Sequence, residues 1–428
     1  MSIVAWTDQM PNNWEVRPLR SVVEYVVSNV DKKLYVDEIP VRLCNYTDVY
    51  NNEFITMAVN FMQATASEAE ITKFGVTVND VIITKDSESP DDIGVPALVR
   101  ETACKLVCGY HLALLRPLEQ KIDGSFLFRC LQAKPIRLQL ELAANGITRF
   151  GIPKTDIGAM RLPIPPLVQQ HAIVNYLDRE MSRLDALVAA KERVLKLLAE
   201  KRRALITRAV VRGLDPCVPL RDSGIPWLGE IPEKWKTERV AWLFFERDQR
   251  GEPDLPLLEV SIKAGVVVRE FSEERIESTA ADFNTYKIVR QGEVVFNKMR
   301  MWQGAVGVAP QDGLVSPDYV VVAPNRDMLP NYAGLLFRID RFSAECARRS
   351  HGIVWDRMRL YWGSFRDIDV PVPPAEAQRE IVEYVIMATA KLDELTMATE
   401  STIELLKERR TALISAAVTG LIGVESAA

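Results

Sequence analysis

Leu162-Pro-Ile-Pro-Pro166 recurs 208 residues later as Val370-Pro-Val-Pro-Pro374. At the same offset Gln170 meets Gln378, Ile173-Val174 meets Ile381-Val382, Tyr176 meets Tyr384 and Leu184-Asp185 meets Leu392-Asp393. Arg202 and Ala204-Leu205-Ile206 then meet Arg410 and Ala412-Leu413-Ile414, and after a one-residue slip Val211-Arg-Gly-Leu214 meets Val418-Thr-Gly-Leu421. An internal repeat of this period implies a unit built twice.

The flanking segments repeat more faintly. Met10-Pro-Asn-Asn-Trp14 resembles Ile231-Pro-Glu-Lys-Trp235, and Asn79-Asp-Val-Ile-Ile-Thr-Lys85 resembles Gly292-Glu-Val-Val-Phe-Asn-Lys298. Leu127-Phe-Arg129 echoes Leu336-Phe-Arg338, and Asn145-Gly-Ile147 echoes His351-Gly-Ile353. The chain therefore reads as four blocks: a variable domain over 1–161, a helical block over 162–213, a linker with a second variable domain over 214–369, and a helical block with a tail over 370–428.

The helical blocks carry a seam. Leu177, Met181, Leu184, Val188, Lys191, Leu195, Leu198, Arg202 and Leu205 step by four and three, as do Val385, Thr389, Leu392, Thr396, Thr399, Ile403, Leu406, Arg410 and Leu413. This is coiled-coil spacing. Each block follows a Pro-Pro pair, which suits a helix start, and ends near Gly213 or Gly420, which suits a helix stop. Some 40 residues at about 1.5 Å each give a rod of about 60 Å. One such helix cannot cover its own apolar stripe, so the two are expected to pack together rather than each lie on its own domain. Polar Lys191, Arg202 and Arg410 either fix the register of that seam or bend their heads out to water.

The variable domains read as mixed α/β, with strands over Val76–Ile83, Val294–Phe296, His111–Leu115 and Tyr319–Ala323. The fold class is thus α+β: two mixed α/β domains related by a pseudo-two-fold and separated by two long helices.

Composition narrows the function. The 428 residues are 48% hydrophobic and 26% charged, as in an ordinary globular protein, and no run approaches the length of a membrane span. The N-terminus lacks the pattern of a signal peptide, so a cytoplasmic location away from membranes is expected. The six scattered cysteines suit reduced thiols, and Cys104, Cys108 and His111 have poor zinc spacing and read as ordinary buried residues, so no metal is expected. The net charge of −5 argues against simple coating of nucleic acid. Yet residues 95–161 hold ten basic and five acidic side chains, and residues 285–366 hold twelve and seven. A basic face of that kind attracts phosphate without regard to sequence.

Catalytic signatures are missing. There is no G-x-G-x-x-G, no P-loop and no H-E-x-x-H, and the two Pro-Pro pairs are followed by Leu167 and Ala375 rather than the aromatic of an adenine methyltransferase motif. Pro253-Asp254 with Glu259 lacks the lysine of a nuclease core, because Ser261 occupies that place. A two-fold repeat without catalytic residues points to a binding scaffold.

On these residues the chain resembles the specificity (S) subunits of type I restriction–modification systems. The resemblance is carried by Leu162–Pro166 with Gln169-Gln170, and by Ser223-Gly-Ile-Pro-Trp-Leu-Gly-Glu-Ile-Pro-Glu-Lys-Trp235. It also rests on Phe296-Asn-Lys-Met-Arg-Met-Trp-Gln-Gly-Ala305, Val315-Ser-Pro-Asp-Tyr319 and Glu408-Arg-Arg-Thr-Ala-Leu-Ile-Ser-Ala-Ala-Val-Thr-Gly420. It implies two target-recognition domains, each reading one half of a split, asymmetric sequence in double-stranded DNA, held apart by two helices packed as an antiparallel coiled coil. It further implies a non-catalytic chain whose partners are two methyltransferase (M) subunits and, where DNA is cut, two restriction (R) subunits. S-adenosylmethionine, ATP and Mg then belong to those partners, and this chain holds no cofactor. The competing readings are a stand-alone DNA-binding regulator and a repeat-built protein adaptor.

Arg and Lys suit guanine and phosphate, and Asn and Gln suit adenine. The candidate DNA-binding residues are Lys85, Gly146, Thr148, Arg149 and Lys154 in the first domain. In the second they are Lys298, Arg300, Gln303, His351, Gly352, Arg357 and Arg359. The candidate helix-packing residues are Leu177, Leu184, Val188, Leu195, Leu198, Leu205, Val385, Leu392, Ile403, Leu406 and Leu413. Residues shared by both domains, such as Lys85 and Lys298, are expected at phosphates, and unshared ones at bases.

Overall fold

The structure is a computed structural model that describes residues 5–269, 283–325, 327–352 and 358–424. It divides into two compact units, Met1–Lys191 with Ser401–Ala428, and Glu192–Glu400. Each contains one variable domain and a stretch of both long helices.

In the first unit an antiparallel sheet runs in the order Val23–Val27, Leu112–Pro117, Val81–Thr84, Pro96–Val99, with the short strand Phe54–Ile55 added parallel at the edge. In the second unit the order is Phe244–Arg247, Tyr319–Pro324, Val294–Asn297, Val306–Val308, again antiparallel. The central strands are continuous apolar runs, Val81-Ile-Ile83 and Val320-Val-Val322, because both sheet faces are covered. The strand expected over Val76–Ile83 is shorter than its apolar content suggests, beginning only at Val81. The Asp80 carboxylate accepts hydrogen bonds from the Thr77 amide and hydroxyl, and Asn79 takes a φ of +74°, so the chain turns before the strand starts.

Each domain is closed by a two-stranded ladder joining its start to the segment before the Pro-Pro pair. Glu15–Pro18 pairs with Arg161–Ile164, and Lys236–Arg239 pairs with Asp369–Val372. The two long helices then begin directly after Pro166 and Pro374, at Leu167–Arg212 and Ala375–Val418. Gly213 and Gly420 follow their ends with φ of +74° and +77°, the conformation a side chain resists. A Cβ at Gly213 would press on Trp235, and one at Gly420 on Pro11 and Trp14, so the Pro-x-x-Trp repeats found in the sequence are the seats of the two helix ends.

Gln170 and Gln378 explain why the helix starts repeat so well. Both are fully buried. Gln170 donates to the carbonyls of Lys121 and Pro165 and accepts from the Asp123 amide. Gln378 donates to the carbonyls of Asp327 and Pro373 and accepts from the Leu329 amide. Asp123 and Leu329 are the N-caps of equivalent helices, Gly124–Gln132 and Pro330–Leu336.

In each unit the two helices lie side by side and antiparallel. In the first, Ile173, Leu177, Met181 and Leu184 share one core with Leu406, Leu413, Ile414, Ala417 and Val418. In the second, Leu205, Ala209, Val210 and Val211 share one with Ile381 and Val385. The seam residues Val188, Leu195 and Leu198 are half-buried, whereas Leu392 and Ile403 are buried. The seam arginines are paired across the helices. Arg202 bonds Asp393 within the second unit, and Arg410 lies 3.6 Å from Asp185 within the first. Arg410 also reaches Glu53 at 2.5 Å. These are the same two repeat positions with the helices exchanged, so each guanidinium head meets a carboxylate of the facing helix at the edge of the seam. Among the described residues no helix is long and apolar enough to cross a membrane.

Candidate nucleic-acid interface

Beyond the strand Val81–Thr84, the first unit carries a short loop from Asn145 to Gly151. Its ends are locked by two backbone hydrogen bonds, Asn145 N–H to Gly151 O at 3.0 Å and Gly151 N–H to Asn145 O at 2.9 Å. Gly151 and Phe150 pair with Asp86 and Ser87, and the Ile152 amide donates to the Lys85 carbonyl at 3.0 Å. Residues Asn145 to Arg149 are all exposed.

The second unit repeats the arrangement. His351 N–H and Arg359 N–H exchange backbone hydrogen bonds at 3.0 and 2.9 Å, and the Leu360 amide donates to the Lys298 carbonyl at 2.9 Å. Lys85 and Lys298 thus occupy one structural position at the end of equivalent strands, and each hangs a loop from its carbonyl. His351 and Gly352 are exposed at the start of the second loop. Arg357, with Ile353 and Trp355, lies outside the described residues.

The lysine side chains do not project freely. Lys85 Nζ sits 2.7 Å from Asp86 Oδ1, and the other Asp86 oxygen is 2.6 Å from His111 Nδ1. Burial of Asp86 raises its pKa, but Lys85 and His111 outweigh that and leave it below the usual carboxylate range. Lys298 contacts the Pro317 carbonyl at 3.4 Å and lies 3.9 Å from Asp318. Only 20% of the Lys85 side chain and 19% of Lys298 are exposed, which makes both loop anchors.

The exposed cations lie elsewhere on these loops. Arg149, Arg300 and Arg359 are exposed and form no ion pair among the described residues. Arg149 lies near the Tyr46 phenol, whose ring stacks on Tyr50 at 5.6 Å. Lys154 starts the helix Lys154–Ala159, with its ammonium 5.7 Å from the Tyr25 ring. In the second unit Arg300 precedes the single turn Met301–Gln303, which ends on exposed Gln303 and is closed by Gly304 at φ +81°. Arg359 Nη2 lies 3.9 Å from the Met299 sulfur, and the His351 ring lies 3.2 Å from the Ser364 hydroxyl. Arg300, Arg359 and His351 therefore share one surface, built from the Lys298 strand end and the loop hung on it.

The charge bias seen in the sequence is partly spent internally. Arg348 and Arg349 pair with Glu345, Arg290 with Glu252 and Asp312, Lys287 with Asp248, Arg116 with Asp80 and Arg129 with Asp178. Counting charges overstated the cations available to phosphate. Cys108 is buried as expected, but Cys104 is exposed, because it lies in the open loop after Val99 rather than on a strand. Among the described residues no cluster could hold a metal ion. Sequence reading gave no role in the site to Asp86 and His111, which organise the first loop, or to Ile147, which stands 94% exposed at its tip. The sequence signals for Ile147 were its place between Gly146 and Thr148 and the echo of Asn145-Gly-Ile147 in His351-Gly-Ile353.

Residues 11–197 match the model of the type I restriction modification DNA specificity domain. The chain is 21% identical over 425 residues to a putative type I restriction enzyme MjaX specificity subunit of Methanocaldococcus jannaschii, covering 98% of this chain and 96% of the relative. It is 22% identical to the EcoKI specificity subunit of Escherichia coli, covering 90% and 84%. Its fold matches a chain from work on complex assembly and conformational transition of the type I R-M system, with a TM-score of 0.70, 16% identity and coverage of 96% and 99%. It also matches the HsdS subunit of Thermoanaerobacter tengcongensis, with a TM-score of 0.54, 17% identity and coverage of 96% and 98%.

Proposed function

We infer that this chain is the DNA-specificity subunit of a type I restriction–modification system and that it reads a split target, one half with each unit. The observation that carries the reading is the duplicated loop. Each unit hangs a bridge-closed loop from the carbonyl of an equivalent lysine, and the two loops differ in sequence. Equivalent mounts with unlike side chains suit two readers of unlike half-sites, and hence an asymmetric target.

In this reading residues 1–161 and 214–369 are the recognition domains, and 162–213 and 370–428 are the helical spacers. Arg149, Thr148 and Gly146 with Lys154 serve one half-site. Arg300, Gln303, Arg359, His351 and Gly352 serve the other, and Arg357 belongs with them by sequence. Arg in such positions suits bidentate contact to guanine, and Gln to adenine. Lys85 and Lys298 act through the loops they carry. The long helices fix the number of unread base pairs between the half-sites. Methylation comes from two methyltransferase subunits with S-adenosylmethionine, and cleavage from restriction subunits with ATP and Mg; the chain itself needs no cofactor and works in the cytoplasm.

The test is reconstitution. The purified chain alone is expected to bind DNA with steep salt dependence but not to methylate it. With its cognate methyltransferase subunits it should direct adenine methylation to a split motif. Methylation by the chain alone, or purification without any methyltransferase subunit from its native host, would overturn the assignment.

A further inference from the structure

An exposed aliphatic side chain signifies little by itself. The mounting of Ile147 gives it meaning. The loop that bears it is closed by the paired backbone bonds of Asn145 and Gly151, and Phe150 packs against the first unit's core. The loop turns so tightly that a Cβ on Gly146 would stand 1.9 Å from the Arg149 carbonyl oxygen. The closed loop therefore holds Ile147 away from the protein at 94% exposure, with Thr148 and Arg149 beside it. Its branched side chain has few rotamers to lose on contact. It can neither donate nor accept a hydrogen bond.

The base edges of the major groove are donors and acceptors, with one apolar projection, the C5-methyl of thymine. We propose that Ile147 reads a thymine, packing its side chain on that methyl group in the half-site served by the first unit. This inference rests on the DNA-reading role proposed for the 145–151 loop. Arg149 and the Thr148 hydroxyl supply polar contacts, and Ile147, the largest apolar side chain on the loop tip, supplies the apolar one. The matching Ile353 lies outside the described residues, and the inference concerns Ile147 alone.

The experiment first maps the target by sequencing methylated adenines in the reconstituted complex. Duplexes of that target are then made with each thymine, in both halves, replaced singly by deoxyuridine, which removes only the methyl group. One replacement is expected to weaken binding of the wild-type complex about fourfold, the worth of one buried methyl. Ile147→Ala should bind the thymine and uracil duplexes at that position alike. Equal binding of every uracil duplex by the wild type, or an undiminished uracil penalty in Ile147→Ala, overturns the inference. Arg149→Ala separates this from failure of the underlying reading. If it still relaxes one half-site while uracil has no effect, the loop reads DNA but Ile147 does not read thymine. If neither variant alters any half-site, the role of the loop itself falls, and the inference with it.

Discussion

Gln170 and Gln378 are the clearest residue-scale statement of how this chain is built. Each amide satisfies two carbonyls and one amide that would otherwise be buried unpaired at a helix start. Replacing either with Ala removes three hydrogen bonds and opens a small cavity. Gln170→Ala and Gln378→Ala are each expected to cost about 2–4 kcal/mol, because buried orphan polar groups lose their full solvation. Urea unfolding of each variant checks this, and a loss below about 0.5 kcal/mol would show that water replaces the side chain. Asp86 makes a pH-dependent counterpart. Its folded-state pKa is depressed, so its contribution to stability is present above the ordinary carboxylate pKa and is lost as pH falls through the folded value. Asp86→Asn should lower the urea midpoint at neutral pH and show a flatter acid limb, the two proteins converging in strong acid. A constant gap at every pH would mean that the Lys85 and His111 contacts do not govern the shift.

At the scale of elements, the sequence was most readable where one residue type has one structural use. The Pro-Pro pairs, the glycines after the helices and the seam spacing all stand where their chemistry placed them. Much of what escaped reading depended on partners distant in sequence. Nothing local to Arg202 or Arg410 names Asp393 or Asp185 as its partner. Nothing local to Lys85 reveals that Asp86 and His111 converge on each other across a strand pair. The stretch Val76-Thr-Val-Asn-Asp80 read as strand because the Asp80 turn is set by side-chain hydrogen bonds that periodicity does not register. The long helices carry their own prediction. Removing seven residues from each, 190–196 and 398–404, keeps the seam in phase and shortens each helix by about 10 Å. The unread spacer should shorten by about three base pairs with both half-site sequences unchanged, as read from the methylated adenines. An unaltered spacer would show that the helices do not set the distance.

At the scale of the whole molecule, the order of four sheet strands, the ladder, the glutamine clamp and the loop mount occur in both units, while the loops differ in sequence beyond a shared Gly-Ile pair. A duplicated scaffold with divergent tips separates stability from specificity: the buried repeat holds each unit together, and the tips can change without disturbing it. Scaffold was legible in one sequence because it is written twice. The reading surface was legible only in part, since in the sequence Arg149, Arg300 and Arg359 look like Arg348 and Arg349, which the fold pairs with Glu345. On the function proposed above, the two units should read independently. This is tested by sequencing methylated adenines in DNA from cells that express the cognate methyltransferase subunits with the wild-type chain, with Arg149→Ala or with Arg300→Ala. A split motif is expected, with Arg149→Ala relaxing one half only and Arg300→Ala the other only. A contiguous motif, or both variants altering the same half, would contradict the account.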